Sequence, residues 1–230
     1  MRNILIITLA LICFYNCSDM NDLHQQYLDR GEIIYPAKPD SLISFSGENR
    51  IKLQWYVYSD LSIKTARIFW NDKADSLDIS ISVTPSQTDT ISAIVENLPE
   101  GGYIFDVYNI DAYGNKSIPV IRTGKSLGDI YKSSLNNRNI LSYEITTDNL
   151  VLTMSSSDPA DYIDSEFKYY DSNNVVHEVK LSDNDNLQSI SISLEDIDIS
   201  KNLQYRSVYQ AFDNSIDLFY TDYAEFVIEE

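Results

Sequence analysis

Side chains that could act as a nucleophile with its general base are scarce in this chain. His24 and His177 are its two histidines, and His24 lies in a polar stretch ahead of the first predicted strand. A Ser-His-Asp or Cys-His arrangement would depend on His177 alone, and no nucleophile elbow accompanies that residue. We therefore expect no nucleophilic catalysis.

Carboxylates, in contrast, are abundant, with 35 aspartates and glutamates. A glycosidase needs only two carboxyl groups at the right separation, so an enzyme that cleaves glycans remains a minor alternative. Most of the acids are better explained as solvent-facing residues of strands and turns. Because their number marks no particular pair, we predict that the protein is not an enzyme. The acids in such positions include Asp164, Asp171, Asp196 and Asp198.

Asp183 and Asp185, together with the neighbouring asparagines, resemble half of a calcium-binding loop. Such a loop requires a glycine at its sixth position and a glutamate at its twelfth, and the sequence has neither there. A solvated turn is the better interpretation of this stretch. We therefore expect no metal site and no cofactor.

Aromatic side chains are the best candidates for a binding surface. The chain has 17 tyrosines and 2 tryptophans, and aromatic faces can stack on sugar rings as they do on cations and other π surfaces. Tyrosine also forms strands well and packs half-buried, so a purely structural role is the competing interpretation. The glycan-platform hypothesis rests on five residues, namely Tyr56, Tyr58, Tyr108, Tyr209 and Tyr220.

The elements that must position these tyrosines are β-strands. Apolar residues recur at every second position, as in Ile51, Leu53, Trp55 and Val57, and this is the period of a half-buried strand. Seven such strands fit the first half, which is the number in an immunoglobulin-like sandwich. We predict strands at 41–46, 50–57, 64–70, 77–83 and 90–98, and then a hairpin within 98–117 whose last strand continues to Thr123.

The stretch LPEGGYIFDVYNIDAYGNKS, Leu98–Ser117, resembles the late strands of the fibronectin type III module. In that family the tyrosine, here Tyr103, packs at a corner of the sandwich and returns its hydroxyl to the backbone. Leu98 and Tyr103 stand one residue closer than the commonest spacing of the family. The resemblance also places Trp55 on the second strand, so Trp55 and Tyr103 are both expected in the core.

A second set of alternating runs follows a stretch, 124–138, that is rich in turn-forming residues. Ile190 and Ile192 alternate with serines as regularly as any residues of the first half. We therefore predict an all-β protein of two tandem Ig-like or fibronectin type III-like β-sandwiches, at 39–124 and 128–230. The strands of the second sandwich are predicted at 141–146, 150–154, 166–170, 175–181, 187–194, 205–211 and 223–228.

The N-terminus has the form of a bacterial lipoprotein signal. The apolar run Ile4–Phe14 is shorter than the roughly 20 residues that a permanent membrane helix needs. Cys17 stands where such a signal is cut and acylated, so we expect a signal peptide at 1–16 and diacylation at Cys17. Residues 17–38 then form a tether, and no second cysteine remains for a disulfide.

The formal net charge of −18 also restricts the partners of the chain. Nucleic-acid binding requires a basic footprint, so we expect no nucleic-acid partner. An acidic surface also repels anionic lipid heads. We therefore expect the membrane to be reached only through the lipid anchor.

Several motifs together resemble an uncharacterised lipoprotein family of Bacteroidetes, a domain of unknown function. The resemblance covers most of residues 17–140 and implies display at the outer membrane, facing the cell exterior, beside SusC/SusD-like glycan-uptake systems. The family offers no catalytic residues to transfer. The motifs are YPAKPDSL, RIKLQW, ARIFWND, DTIS, LPEGGYIFDVYNIDAYGNKS and GKSLGDIY.

The function expected from these observations is a non-catalytic, lipid-anchored surface module. Its partner would be a polysaccharide or a SusC/SusD-like outer-membrane protein. The alternative is a structural spacer or an adhesin domain without a small-molecule ligand.

Overall fold

The computed structural model describes residues 34–155, 161–183 and 188–228, and nearly all regular structure in these ranges is β-strand. The all-β prediction is therefore confirmed. The predicted signal peptide, Cys17 and the tether up to residue 33 lie outside the described residues.

Seven strands form the first half of the described chain, and every strand predicted there is present. One sheet has the order β1-β2-β5 and the other has the order β4-β3-β6-β7, with antiparallel neighbours throughout. The strands are β1 (Asp40–Gly47), β2 (Arg50–Tyr58), β3 (Ile63–Trp70), β4 (Asp75–Ser80), β5 (Thr88–Glu96), β6 (Gly101–Asp111) and β7 (Val120–Ser126).

The two sheets of the first half enclose one hydrophobic core. On β2 the side chains of Ile51, Leu53 and Trp55 are fully buried, whereas the residues between them are partly exposed. Each large apolar side chain that leaves water stabilises the fold by about 1.5–3 kcal/mol. The alternation in the sequence is therefore the pattern that closes the sandwich, and the prediction that Trp55 lies in the core is confirmed.

Tyr103 makes the expected corner contact. Its hydroxyl donates a hydrogen bond to the carbonyl oxygen of Pro99 at 2.9 Å. Its ring stacks on the fully buried Phe105, with 6.1 Å between the ring centroids. The shorter spacing from Leu98 therefore does not prevent the tyrosine from fastening the start of β6.

The connection between the two halves is more ordered than the sequence indicated. β7 extends to Ser126, beyond its predicted end, and a short helix, α1 (Asp129–Ser134), follows. The carboxylate of Glu100 accepts hydrogen bonds from the backbone N–H groups of Ile130 at 2.7 Å and Tyr131 at 2.9 Å. Because these N–H groups have no partner within the helix, Glu100 caps α1 from the β5–β6 loop.

The second half also forms two sheets, with the orders β12-β9-β8 and β11-β10-β13-β14, and β15 pairs with β13 as well. The sequence did not predict β14, because two residues cannot display an alternating pattern. The strands are β8 (Ile140–Ile145), β9 (Asn149–Met154), β10 (Tyr162–Tyr170), β11 (Val176–Lys180), β12 (Ser189–Ser193), β13 (Leu203–Tyr209), β14 (Phe219–Tyr220) and β15 (Ala224–Phe226), and a 3₁₀ helix spans Leu181–Asp183.

The core of the second half lies between its two sheets. Leu150 and Ile190 contribute fully buried side chains from one sheet, and Phe167 and Leu203 contribute them from the other. This core is separate from the core of the first half. Each half therefore closes its own sandwich.

A third, smaller apolar cluster lies where the halves meet. Leu127, Tyr209 and Phe219 are buried there, and Tyr131 of α1 packs against them. The rings of Tyr131 and Phe219 meet edge to face, with 4.9 Å between centroids. The helix therefore joins the two sandwiches through apolar contact.

Candidate functional site

The tyrosines predicted on the first sandwich lie on opposite faces. Tyr56 and Tyr58 project outward from β2 in the three-stranded sheet, and Tyr58 is 69% exposed. Tyr108 projects from β6 in the four-stranded sheet, where its neighbours Val107 and Asn109 are buried. Because the core lies between the sheets, these tyrosines do not form one platform.

Tyr108 is occupied by neighbours from its own sheet. Its ring meets the ring of Phe69 edge to face, with 5.9 Å between centroids. The ammonium of Lys73 lies 5.9 Å from the ring centre of Tyr108 and 3.1 Å from the carboxylate of Asp106. The ammonium of Lys73 covers part of the Tyr108 ring, and the neighbouring cleft, of 240 Å³, is small for a ligand.

The prediction that Tyr209 belongs to a binding platform must be corrected. Tyr209 is only 2% exposed, and its hydroxyl donates a hydrogen bond to the backbone oxygen of Asn136. It lies on the inward side of β13, where Leu203 and Ser207 are also buried. Its ring therefore supports the junction of the halves and offers no free face.

Tyr220, on β14, is the predicted residue with the most suitable surroundings. Its side chain is 39% exposed, and the guanidinium of Arg206 lies 4.2 Å from its ring centre. Arg206 also lies 4.7 Å from the ring of Tyr223, and the ammonium of Lys168 lies 4.6 Å from that ring. Tyr223 belongs to the aromatic residues that crowd the end of the sequence, whereas Arg206 was not among the predicted site residues, because its contacts with rings on other strands leave no local signal in the sequence.

Tyr220 forms one wall of a groove at the junction of the two sandwiches, which we call the junction groove. The groove measures 520 Å³, a size that accommodates a small ligand. Its other walls combine acidic, basic, amide and apolar side chains. The first sandwich contributes Glu48, Asn49, Arg50 and Glu96, and the loop between β13 and β14 contributes Ile216, Asp217 and Leu218.

The β13–β14 loop, residues 210–218, reaches the first sandwich through backbone contacts. The N–H of Ile216 donates to the carbonyl of Ser46 at 2.8 Å, and the amide of Asn214 donates to the carbonyl of Ser44 at 3.1 Å. Gly47 leaves room for the loop, because a Cβ there would come within 2.6 Å of the carboxylate of Asp217. The groove therefore has walls from both halves.

Four charged residues line the groove, namely Glu48, Arg50, Glu96 and Asp217, so three acids surround a single cation. The carboxylate of Asp217 accepts hydrogen bonds from Arg50 at 2.6 and 3.0 Å and from the backbone N–H of Glu48 at 2.8 Å. The hydrogen bond from Arg50 is the main reason that the pKa of Asp217 lies below its usual value. The hydrogen bond to Asp217 likewise raises the pKa of Arg50, and Glu96 lies 3.6 Å from the same guanidinium.

A family model for a domain of unknown function, DUF4998, matches residues 17–219. The chain belongs to this family. Among solved structures, the DUF4998 chain is similar to the FN1–FN3 domains of chicken CNTN1, with 9% sequence identity and a TM-score of 0.42. That match covers 86% of this chain and 70% of the other. No curated protein matches the chain.

His177, the histidine considered for catalysis in the DUF4998 chain, has a structural partner. The ring of His177 lies 3.3 Å from the carboxylate of Asp171, which also accepts hydrogen bonds from the N–H groups of Asn173 and Val175 in the same hairpin. In residues 34–155, 161–183 and 188–228, no group of three or more His, Cys, Asp or Glu residues is arranged to hold a metal ion.

A Gly-x-Ser-x-Gly pattern does occur in the chain, at 124–128, where β7 ends just before α1. Its serine, Ser126, is fully buried and donates its hydroxyl to the carbonyl of Leu98 at 2.9 Å. A nucleophile elbow would instead expose the serine at a strained turn. Ser126 therefore fastens β7 to the β5–β6 loop.

The described part of the chain, which begins at residue 34, has no helix with the length and apolar character needed to cross a membrane. Cys17 lies outside this part. Its acylation stays a prediction.

Proposed function

We propose that this protein is a non-catalytic surface module, lipid-anchored to the outer membrane through Cys17, that binds a glycan in the junction groove. The observation that supports this most directly is the position of Tyr220. Its partly exposed ring lines a groove of 520 Å³ that also contains a guanidinium and carboxylates. Pockets at domain junctions, with an aromatic wall and a few convergent polar groups, are typical binding sites.

The chemistry of the groove suits a sugar. The apolar face of a pyranose ring can stack on the part of the Tyr220 ring that Arg206 leaves exposed, as other apolar and cationic groups do on aromatic rings. Glu96 can accept hydrogen bonds from sugar hydroxyls, and Arg50 can donate them. Because Arg50 is already held by Asp217, it does not have to be ordered when the ligand binds.

A partner protein of the SusC/SusD type belongs to the same proposal, since a module that captures a glycan would deliver it to an uptake system. The second candidate function is that of a structural spacer. The apolar cluster at the junction favours it, because Tyr131, Leu127 and Phe219 would hold the two sandwiches in a fixed arrangement whether or not a ligand is present.

The test is affinity gel electrophoresis and a glycan array with the mature chain carrying Cys17→Ser, which keeps it free of lipid. We expect binding to at least one polysaccharide, and we expect Tyr220→Ala to weaken it at least tenfold. Tyr58→Ala is the matched control, because Tyr58 is more exposed than Tyr220 but lies outside the groove. Equal losses in both variants would contradict the assignment of the groove, and an absence of binding to any polysaccharide would favour the spacer.

A further inference from the structure

The end of the first sandwich that lies away from the second half also has distinctive features, and we call it the free pole. Four connections meet there: the N-terminal segment 34–39, the β2–β3 loop 59–62, the β4–β5 loop 81–87 and the β6–β7 turn 112–119. The N–H of Ala37 donates to the carboxylate of Asp60 at 2.7 Å, and the amide of Asn109 donates to the carbonyl of Ala37 at 2.9 Å. These bonds hold the N-terminal segment against the β2–β3 loop and the end of β6.

Large apolar side chains are exposed on three of the four connections of the free pole. Their exposure ranges from 51% to 91% of the side-chain surface, although polar and small residues are usual at loop tips. Exposed apolar groups that gather in one region commonly mark an interaction surface. The residues are Ile34 and Tyr35 on the N-terminal segment, Leu61 on the β2–β3 loop, and Tyr113 and Ile118 on the β6–β7 turn.

Two acidic groups at the free pole, on Asp60 and Asp111, are turned toward their own loops, and Asp89 accepts hydrogen bonds from Thr84, whereas Asp40 is exposed. The carboxylate of Asp111 accepts hydrogen bonds from the backbone N–H groups of Tyr113 and Asn115, both at 2.8 Å. Asp60 is bonded to Ala37 and to the hydroxyl of Ser62 at 2.6 Å. These bonds keep both acids from projecting beyond the apolar side chains.

Lysines lie beside the apolar side chains of the free pole. Lys38 and Lys116 line a largely apolar cleft of 350 Å³ together with Tyr35 and Ile118. A combination of apolar and aromatic residues with lysines is typical of segments that rest in the interface of a bilayer. The free pole has this combination even though the chain as a whole carries a net charge of −18.

The position of the predicted lipid anchor in the sequence indicates what the free pole would contact. Cys17 precedes Ile34 by 17 residues, so the proposed lipid lies within roughly 60 Å of the free pole even for a fully extended chain. The opposite end of the same sandwich is covered, because Arg50 and Glu48 contact the second half and α1 there. The free pole is therefore the end of the first sandwich to which the proposed anchor is attached.

We propose that the free pole rests on the membrane surface, with Leu61, Tyr113 and Ile118 inserted among the lipid head groups, which departs from the expectation, based on net charge, that the lipid anchor alone reaches the membrane. This inference rests on the proposed acylation of Cys17. The contact would add a second membrane signal to the lipid and would fix the orientation of the protein. β6 has 11 residues and spans about 35 Å, so the junction groove would be held at about that height above the bilayer.

The test uses the mature chain purified from cells that express it with its signal peptide, in which acylation of Cys17 would leave no other thiol. Ile118→Cys is labelled with an environment-sensitive fluorophore, and the protein is reconstituted in phosphatidylethanolamine–phosphatidylglycerol vesicles. Leu141→Cys, at an exposed apolar position on β8 of the second half, is the matched control. We expect the emission to shift to shorter wavelength with vesicles at position 118 and to stay unchanged at position 141.

A flotation gradient separates the two ways in which this inference can fail. If the protein does not float with the vesicles, both the acylation of Cys17 and the membrane contact are refuted, whereas the proposal that the groove binds a glycan is not affected. If the protein floats but position 118 shows no shift, the anchor stands and the contact is refuted. As a second measure, replacing Leu61, Tyr113 and Ile118 together by serine should reduce vesicle binding of the non-acylated Cys17→Ser chain at least tenfold.

Discussion

The ion pair between Arg50 and Asp217 is the contact whose removal should reveal how firmly the two sandwiches are docked. Asp217 accepts two hydrogen bonds from Arg50 and one from the N–H of Glu48. Asp217→Ala removes all three and leaves the guanidinium and the N–H group without this acceptor. The substitution lies in the β13–β14 loop, outside both cores.

The size of the effect follows from the exposure of the pair. A hydrogen bond to a charged group contributes about 1.5–3 kcal/mol when buried, whereas an exposed ion pair contributes about 0.2–1 kcal/mol. Asp217 is 17% exposed and Arg50 is 36% exposed, so solvent screens part of the interaction. We therefore expect Asp217→Ala to lower the free energy of unfolding by about 2 kcal/mol.

Urea denaturation measures this difference. With an m value of about 2 kcal/mol/M, a loss of about 2 kcal/mol lowers the midpoint by roughly 1 M. Asp78→Ala is the matched control, because Asp78 also binds an arginine, Arg67, through both oxygens, at 2.5 and 2.6 Å, but within one sheet. If both variants shift the midpoint equally, or if Asp217→Ala shifts it by less than the error of measurement, the docking role of Asp217 is refuted.

Three further predictions concern residues near the junction and the corner. Gly47→Ala should lower the free energy of unfolding, measured by thermal denaturation, by about 1–3 kcal/mol, because the new Cβ would overlap Asp217. Gly101→Ala is the control and should be nearly neutral, because no atom lies within 4 Å of the position of its Cβ. Tyr103→Phe should cost about 0.5–1 kcal/mol, since it removes the hydrogen bond to Pro99. The pKa of Asp217 is lower in the folded state than its ordinary value of 3.8, so the stabilising effect of its carboxylate should be complete above pH 3.8 and should disappear as the pH falls through the folded pKa. The difference in the free energy of unfolding between wild type and Asp217→Asn should therefore become smaller in acid, as measured by urea denaturation at a series of pH values.

Most of the fold could be predicted from the sequence because its signals are local. Ile51, Leu53 and Trp55 alternate with polar neighbours, and this pattern alone specifies a strand with one buried face. The same rule would have placed Tyr209 correctly. Tyr209 lies two residues after Ser207 and six after Leu203, so it shares their inward side of β13.

The candidate site could not be predicted in the same way because its residues are distant in the sequence. Asp217 and Arg50 are 167 positions apart, and the β13–β14 loop has no periodic pattern. α1 was missed for a related reason, since its N-terminus is capped by Glu100 from another loop. A contact made between loops leaves no repeat in the sequence that periodicity could detect.

If the proposed ligand binds in the junction groove, the composition of the groove couples its binding to the docking of the sandwiches. Glu96 belongs to the first sandwich and Tyr220 belongs to the second, so a ligand that contacts both binds the docked arrangement more tightly than a separated one. A contact that stabilises docking, such as the pair of Arg50 with Asp217, therefore also increases affinity without touching the ligand. By reciprocity, a bound ligand must stabilise docking by the same free energy. Mutations at the junction and ligands of the groove should for this reason both shift the equilibrium between the docked and the separated arrangement of the two sandwiches.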